Sequence, residues 1–524
     1  MAYDILIRSG LVLDGAGAPP AVVDIGIDKG LIAAVGTLSG AKAATEVNAL
    51  GKYVAPGFVD ITNHSDTYLT LFKYPHLESM VMQGVTTIVG GNCGASLAPL
   101  VSREAIRSVS KWADISEIGI DWTGMGEFLA AAERMRLGVN FATLVGFGTL
   151  RRGVAKDALR ALSGEEKAQI RLLLERALQE GALGMSLGLA YGHERLSATD
   201  ELMDVVLPLA QYGGVLKIHL RNEGVGILGA INEAVRISRE AAVPVIISHF
   251  KIIGRASWPN AKKALDLIAY ARADGVNISY DVSPYRSTGS PLYLLIPPWA
   301  RRGGFAELFG RLNSQIDRKR IVEALERRTL HHDTIRIIAA KHTEIVGKSV
   351  AEIARAMGIR PEEAMLDIIL GNEGRVAIVG RTVSGKNTME AMRDPASLIA
   401  SDGYGLSQDA IRTGMLTHPR SFGAFAHFWH RMVTDLALLK PEEAIAKMTG
   451  GPAAAMGMRG RGVIAKGNAA DIVVFDPRLF RDRATYKNPF RYPAGMEWVL
   501  INGKVAVEEG RLTDARAGMV IRKA

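Results

Sequence analysis

The sequence predicts an α/β protein: a (β/α)₈ TIM-like barrel joined to a small β-sandwich domain built from both ends of the chain. Three observations lead to this prediction. The middle of the chain repeats a pattern of apolar strand, loop and helix, both ends are rich in short strand-like segments, and 524 residues are too many for one small domain. Hydrophobic residues make up 48% and charged residues 22%, which is typical of a globular protein with a large core.

The two chain ends carry turn signals between short apolar segments. Asp28-Lys29-Gly30 stands between two such segments near the start, and Asn502-Gly503 stands between two near the end. Both patterns are typical of β-hairpins. Neither end has enough strands for a stable core of its own. We therefore expect residues 1–54 and 440–524 to form one sandwich domain together.

The middle of the chain, residues 55–439, is assigned to the barrel because apolar strands alternate there with helices. One helix is predicted to begin at Ser163, with Glu166 completing a capping box. A helix-rich stretch at about residues 290–345 interrupts the alternation and is interpreted as an inserted subdomain. The predicted strands span residues 53–61, 86–91, 139–146, 182–189, 215–220, 243–250, 276–283, 375–379 and 398–401.

Charge and composition argue against several classes of partner. The formal net charge is +9, but Lys and Arg are scattered, so we expect no nucleic acid partner and only a mild attraction for anionic substrates. The N-terminus lacks the apolar region of a signal peptide, and no apolar run is long enough to span a bilayer. We therefore expect a cytoplasmic protein without a membrane partner, and leave a homo-oligomer open. Cys93 is the single cysteine, which excludes an internal disulfide.

Candidate catalytic groups follow the predicted strands, because barrel enzymes carry their chemistry at the C-terminal strand ends. Cys93 follows the second predicted strand, and His219 and His249 end two consecutive strands. A lone histidine there is more often a hydrogen-bonded core residue, and a lone cysteine an inert one, but the three together suit Zn²⁺. Asp402 follows the last predicted strand, either as a general base and acid or as a helix N-cap. The other polar residues at strand ends are Asp60, His64, Asn92 and Asp281.

Several motifs resemble one known family over nearly the whole chain. They include Gly91-Asn-Cys-Gly94, Ser248-His-Phe-Lys251, Ser401-Asp-Gly403 and His418-Pro-Arg420. The chain resembles the N-acyl-D-amino-acid deacylases (D-aminoacylases) of the amidohydrolase superfamily. The first motif is the most specific, because this family has its cysteine where general amidohydrolases have a carboxylated lysine.

The resemblance implies a zinc-dependent hydrolase that cleaves the amide bond of N-acyl-D-amino acids to a carboxylate and a free D-amino acid. It also implies a role for each matching residue: metal binding, proton transfer or binding of the substrate carboxylate. By this resemblance the metal ligands are Cys93, His219 and His249, the proton-transfer residue is Asp402, and the carboxylate-binding residues are Lys251, Tyr285 and Arg420. As a separate hypothesis on mechanism, Tyr191 stabilises the developing oxyanion.

The chain departs from the family pattern at the end of the first barrel strand. Thr62-Asn63-His64 stands where the family has His-X-His, so the first histidine is replaced by threonine. We therefore expect one zinc ion, with His64 acting by weak ligation or hydrogen bonding. Two other functions remain open: a hydrolase of the same fold that acts on another amide, a cyclic amide, a carbamate or a lactone, and a non-catalytic binding protein on this scaffold. Nucleic acid binding is a third, supported by charge alone.

Overall fold

The computed structural model describes residues 2–109, 112–156, 158, 160–328 and 330–523. Parallel strands alternate with helices through the middle of the chain, and antiparallel strands occupy its two ends. This arrangement confirms the predicted mixed α/β class. Within the described residues, no helix has both the length and the apolar character that crossing a membrane requires.

The parallel strands form two sheets that the chain itself connects. Asn140–Thr143 ends a three-stranded sheet, and Val145–Gly146 begins a six-stranded sheet one residue later. At the opposite edges, a parallel bridge joins Asn63, after the first parallel strand, to Gly403, after the last. In sheet order the strands are Phe58–Asp60, Val85–Gly90 and Asn140–Thr143, then Val145–Gly146, Gly184–Gly188, Val215–His219, Val245–Ile247, Ile278–Val282 and Ser397–Ile399.

The helices between these strands bury one apolar face each. Ile227–Glu240 buries Ile227, Ile231 and Ala234, which recur at the spacing of one helix face. The helix Gly164–Gln179 begins at Ser163 with the predicted capping box, which is confirmed. The helices are Thr70–Lys73, Glu78–Val81, Met125–Arg134, Phe147–Ala155, Gly164–Gln179, Thr199–Val205, Leu207–Tyr212, Ile227–Glu240, Ala261–Ala273, Phe305–Asn313, Gln315–Glu326, Val350–Met357, Pro361–Gly371, Gly385–Arg393, Arg420–Trp429, Pro441–Met448 and Gly450–Ala455.

Strands from both chain ends pair in one nine-stranded sheet. The strand Tyr53–Pro56 from the N-terminal segment pairs with Ile472–Phe475 from the C-terminal segment, so the two ends share hydrogen bonds and an apolar core. The two predicted hairpins are confirmed, because antiparallel strands flank both turns. The sheet contains Ala2–Val12, Ala21–Asp28, Leu31–Gly36, Lys42–Asn48, Tyr53–Pro56, Ile472–Phe475, Met496–Ile501, Lys504–Glu508 and Arg511–Leu512.

A separate antiparallel sheet interrupts the parallel strands. Val376–Gly380 lies between Thr288–Pro291 and Arg336–Ala340 in this three-stranded sheet. The assignment of residues 375–379 to the barrel was therefore wrong. A short apolar run has the same appearance in a parallel and an antiparallel strand, because only its pairing partner distinguishes the two. The helices that surround this sheet share an apolar core with it.

Candidate metal centre and active site

Three side chains with metal-binding atoms meet at the C-terminal ends of the parallel strands. Cys93, His219 and His249 are all buried, and their ligand atoms lie within 4.8 Å of one another. The Sγ atom of Cys93 is 3.3 Å from Nε2 of His249. The imidazole rings of His219 and His249 have centroids 4.4 Å apart and are nearly perpendicular. The predicted trio therefore converges on one point.

The donor set fits a divalent cation. Both ring nitrogens of His219 are buried, and neither has a hydrogen-bond partner among the described residues. The nearest carboxylate oxygen to Nε2, on Glu223, is 3.7 Å away. Buried nitrogens without partners are unfavourable, and a cation bound there would satisfy one of them. Two imidazoles and one thiol form a soft three-ligand set of the kind that holds Zn²⁺ and leaves a fourth position open.

The charge around Cys93 favours its thiolate form. Burial alone would raise the pKa of the Cys93 thiol, but the charge of His249 and its hydrogen bond to the sulfur lower that pKa well below 9.0. The thiolate is the form that ligates metals. The surroundings of Cys93 therefore favour the thiolate form, which can bind a metal.

A carboxylate lies beside the trio and is held from both sides. His64 places Nε2 3.2 Å from Oδ1 of Asp402, and Arg420 donates a 2.6 Å hydrogen bond to Oδ2. Burial alone would raise the pKa of Asp402, but Arg420 and the rings of His249 and His64 hold it well below its usual value. Burial would lower the pKa of His64, but Asp402 and Cys93 raise it to about 9. Asp402 is thus an anion with a fixed orientation.

Glu223 completes the centre and was missed in the sequence. Its Oε1 atom lies 3.2 Å from Nδ1 of His249 and accepts a 2.6 Å hydrogen bond from Lys251. Burial would raise the pKa of Glu223, but Lys251, His219 and His249 hold it well below its usual value. Nδ1 of His249 also lies 2.7 Å from Nζ of Lys251, so it faces both members of the Lys251–Glu223 pair. A metal on Nε2 would place the ring proton on Nδ1, where the Glu223 carboxylate could accept it. The available signal was a glutamate four residues after His219.

Three residues of the centre have left-handed backbone conformations. The φ angles are 55° at Cys93, 38° at His249 and 54° at Asp402. Such conformations cost roughly 1–3 kcal/mol each for residues other than glycine and recur at functional sites. The surrounding fold maintains two of them by hydrogen bonds: the His249 amide donates to Asp281 at 2.7 Å, and the Asp402 amide donates to the carbonyl of Thr62 at 3.0 Å.

A cavity of about 330 Å³ opens above the metal-binding trio. Aromatic side chains form part of its wall, among them Tyr191, whose ring centroid lies 5.1 Å from that of His219. Of the residues predicted for the site, the following line this cavity: His64, Cys93, Tyr191, His219, His249, Lys251, Asp402 and Arg420.

Tyr285 does not line that cavity. Its ring stacks on His427 with 4.5 Å between centroids and meets His418 edge-on at 5.0 Å. Its hydroxyl is buried and has no hydrogen-bond partner among the described residues. His418 in turn accepts a hydrogen bond from the backbone N–H of Arg420. Tyr285 therefore lies behind the wall that carries Arg420.

Thr62 also points away from the cavity. Its hydroxyl donates a 2.7 Å hydrogen bond to Asp281 and accepts one from Lys217. Its oxygen is thus engaged in a buried network beneath the site.

Comparison with known proteins identifies the family. A family model described as "Amidohydrolase family" matches residues 311–507. A D-aminoacylase of Alcaligenes xylosoxydans xylosoxydans is 33% identical over 99% of this chain and 98% of its own length. The chain belongs to the D-aminoacylase family. An N-acyl-D-glutamate deacylase of the same organism is also 33% identical, over 99% of this chain and 96% of its own.

Solved structures of D-aminoacylase family members have the same fold. A D-aminoacylase studied for the role of its binuclear metal centre is 31% identical, with a TM-score of 0.84 over 99% of this chain and all of its own. An N-acyl-D-glutamate deacylase from Bordetella bronchiseptica, complexed with zinc and a phosphonate mimic of the tetrahedral intermediate, is 30% identical with the same TM-score over both full chains. A D-hydantoinase at 15% identity and a TM-score of 0.57 shares the fold alone.

Proposed function

We propose that this D-aminoacylase family member is a zinc-dependent hydrolase that cleaves the amide bond of N-acyl-D-amino acids. The observation that carries the proposal is the buried trio of Cys93, His219 and His249 beside the Asp402 carboxylate. Within the described part of the chain, neither ring nitrogen of His219 has a hydrogen-bond partner. The names of the relatives support the substrate class. A non-catalytic binding protein would not need an oriented, ionised carboxylate next to a metal-binding trio.

In this proposal Cys93, His219 and His249 hold the metal, and Asp402 moves the proton. Zn²⁺ in such a site supplies Lewis acidity for the amide carbonyl and makes water more acidic. Asp402 accepts a proton from the attacking water and delivers it to the leaving nitrogen. His64 and Arg420 hold the two oxygens of Asp402, so that its carboxylate keeps one orientation during both transfers.

The substrate carboxylate is proposed to bind the cationic side of the cavity. Lys251 and Arg420 both line it, and a guanidinium can hold a carboxylate with two hydrogen bonds. Tyr191 also lines it and is proposed to stabilise the developing oxyanion. Tyr285 contributes indirectly, by packing against His418 behind Arg420.

We propose that the centre holds one zinc ion. Thr62 replaces a ligand histidine of the family, and its oxygen is engaged by Asp281 and Lys217 beneath the site. His64 faces Asp402 and is proposed to act through that hydrogen bond rather than as a full ligand.

The fold around the site is proposed to be a closed (β/α)₈ barrel. Three observations support closure of the barrel. The parallel strands occupy eight positions, one residue links the two parallel sheets, and a bridge joins Asn63 to Gly403. We assign residues 55–439 to this barrel and to the subdomain inserted in it, predicted at about residues 290–345, to which the antiparallel sheet with Val376–Gly380 also belongs. Residues 1–54 and 440–524 are assigned to a β-sandwich domain. A cytoplasmic location stays a prediction of the sequence.

A substrate screen with metal analysis tests the proposed function. Purified protein is assayed for amine release from N-acetyl and longer N-acyl derivatives of D- and L-amino acids, and its zinc content is measured on the same sample. We expect about one zinc per chain and release from D-substrates that chelation abolishes and zinc restores. Arg420→Met should raise KM for these substrates. A zinc protein that opens cyclic amides or lactones and releases no amine from N-acyl amino acids would favour the rival hydrolase.

A further inference from the structure

Lys217 is a completely buried lysine directly beneath the metal centre. It lies in the strand Val215–His219, two residues before His219, and its relative exposure is 0%. Residues two apart in a strand face the same side, so Lys217 lies one layer below the metal-binding histidine. Burial of an ammonium is strongly unfavourable unless it is paired. A partner set must therefore compensate its charge.

Three oxygen atoms surround the Lys217 ammonium. It donates a 2.6 Å hydrogen bond to the carbonyl of Ile61 and another to the hydroxyl of Thr62. Its Nζ atom lies 3.1 Å from Oδ2 of Asp281, which is also completely buried. Lys217 and Asp281 thus form a buried ion pair, bridged by Thr62, which itself donates to Asp281.

Asp281 connects this ion pair to the metal centre. Its second oxygen, Oδ1, accepts the 2.7 Å hydrogen bond from the backbone N–H of His249. That backbone has the left-handed φ of 38°, which is uncommon for residues other than glycine, and the hydrogen bond to Asp281 helps to hold it. The orientation of the His249 ring therefore depends on where the Asp281 carboxylate is held.

We propose that Lys217 is a positioning residue of the metal centre: its ammonium balances and anchors Asp281, and Asp281 sets the backbone of His249. The proposal rests on the proposed metal site, but not on the identity of the substrate. The proposal gives Lys217 and the hydrogen bonds around Thr62 a function. Neither proton transfer nor substrate binding accounts for these buried polar groups.

The test measures metal binding without substrate. Zinc affinity is determined by competition with a chelator, and the Co²⁺-loaded protein is examined for the absorption bands of a thiolate-bound, four-coordinate ion. Lys217→Met leaves Asp281 buried without its cation, so we expect zinc affinity to fall at least tenfold and the Co²⁺ bands to shift. Lys447→Met, which removes a half-buried lysine whose ammonium donates hydrogen bonds to Asp394 and Ser397, is the matched control and should leave both unchanged.

Two double variants separate positioning from charge. The double variant Lys217→Met with Asp281→Asn has no charge at either position and keeps an oxygen that can accept the His249 N–H. Its zinc affinity should therefore lie within about threefold of that of the wild type. Lys217→Met with Asp281→Leu is equally neutral but lacks that acceptor, so its zinc affinity should stay low. These variants decide the question even if Lys217→Met alone does not fold.

The inference is overturned if Lys217→Met keeps the wild-type zinc affinity and Co²⁺ spectrum, or if the Asn and Leu double variants bind zinc equally well. Wild-type protein that binds no zinc would overturn the metal site and this inference together. Wild-type protein that binds zinc but releases no amine would contradict the proposed reaction only, because the metal measurements do not depend on turnover.

Discussion

The Sγ atom of Cys93 lies 3.3 Å from Nε2 of His249, although 156 positions separate the two residues in the chain. Both residues have left-handed backbones, and both are buried. A thiolate and an imidazole held this close, with a second imidazole beside them, form an arrangement that a shared cation stabilises.

Zinc should protect Cys93 from alkylation. Because Cys93 is the single cysteine, the mass of the intact protein reports on it alone. We expect iodoacetamide to modify chelator-treated protein at least ten times faster than zinc-loaded protein. His219→Asn is the control, since loss of one metal ligand should leave the Cys93 thiol reactive even in the presence of zinc. Equal rates with and without zinc would contradict ligation by Cys93.

The rate of that alkylation should depend little on pH in the metal-free protein. An ordinary thiol gains thiolate as pH rises toward its pKa, so its rate climbs nearly tenfold per pH unit below that pKa. The pKa of Cys93 is held well below 9.0, so its alkylation rate should rise less steeply between pH 7 and pH 8.5 than that of an ordinary thiol. We expect a change of less than threefold between pH 7 and pH 8.5. A tenfold rise would show a thiol with an ordinary pKa.

Asp402→Asn should abolish turnover and leave the metal bound. Asparagine keeps the size of the side chain and can still accept a hydrogen bond from Arg420, but it cannot accept a proton from water. Loss of general acid–base catalysis corresponds to a decrease in kcat of about 10²–10⁴-fold. Zinc content and the melting temperature, measured on the same sample, serve as controls. A variant with a tenth or more of the wild-type kcat argues for another base.

Glu223→Gln should weaken zinc binding. Glu223 faces Nδ1 of His249, and carboxylates in that position orient the ring and raise its basicity. We expect a decrease in zinc affinity of about 10–100-fold, while turnover at saturating zinc is largely kept. Glu201→Gln is the matched control, because Glu201 is also buried but accepts a hydrogen bond from the backbone of Leu162 instead. Similar zinc affinities in both variants would mean that Glu223 does not support the metal.

Arg420→Met should move the acid limb of the pH profile. Arg420 is the largest of the influences that lower the pKa of Asp402 against burial. Without the guanidinium that pKa rises, so Asp402 takes up its proton at a higher pH. We expect kcat/KM to begin its fall at a higher pH than in the wild type as the solution is acidified. Lys251→Met, which also removes a cation from the cavity, is the control, since Lys251 hydrogen-bonds Glu223 and not Asp402. Identical acid limbs in wild type and Arg420→Met would argue against Asp402 as the group that titrates.

The polar residues at the predicted strand ends were sufficient to predict that the main site residues lie together. Each of the four lies at or just after the end of a parallel strand, and such strand ends meet at one edge of the fold; the four are Cys93, His219, His249 and Asp402. Glu223 and Lys217 were not found this way. Glu223 follows its strand by four residues in a loop, and Lys217 lies inside a strand, where a lysine is not expected to be buried.

Tyr285 illustrates the converse case. Its motif matches a substrate-binding position of the family, yet Tyr285 packs against His418 and is not among the residues that line the cavity. The residues 375–379 were likewise assigned to the barrel from their apolar pattern, but they pair with antiparallel strands. In both cases local sequence describes the residue correctly, and the long-range partner decides its role.

The sequence alone predicted an α/β architecture and a common β-structure formed by strands from both chain ends. It also predicted a metal-binding trio with a neighbouring acid. These predictions were possible because strand periodicity and the positions of strand ends are local properties. Only the tertiary structure decided that Lys217 and Asp281 pair beneath His249, that Glu223 faces its ring, and that Asp402 is held between His64 and Arg420. These contacts join residues from separate strands and loops, and their distances depend on packing that no segment specifies by itself.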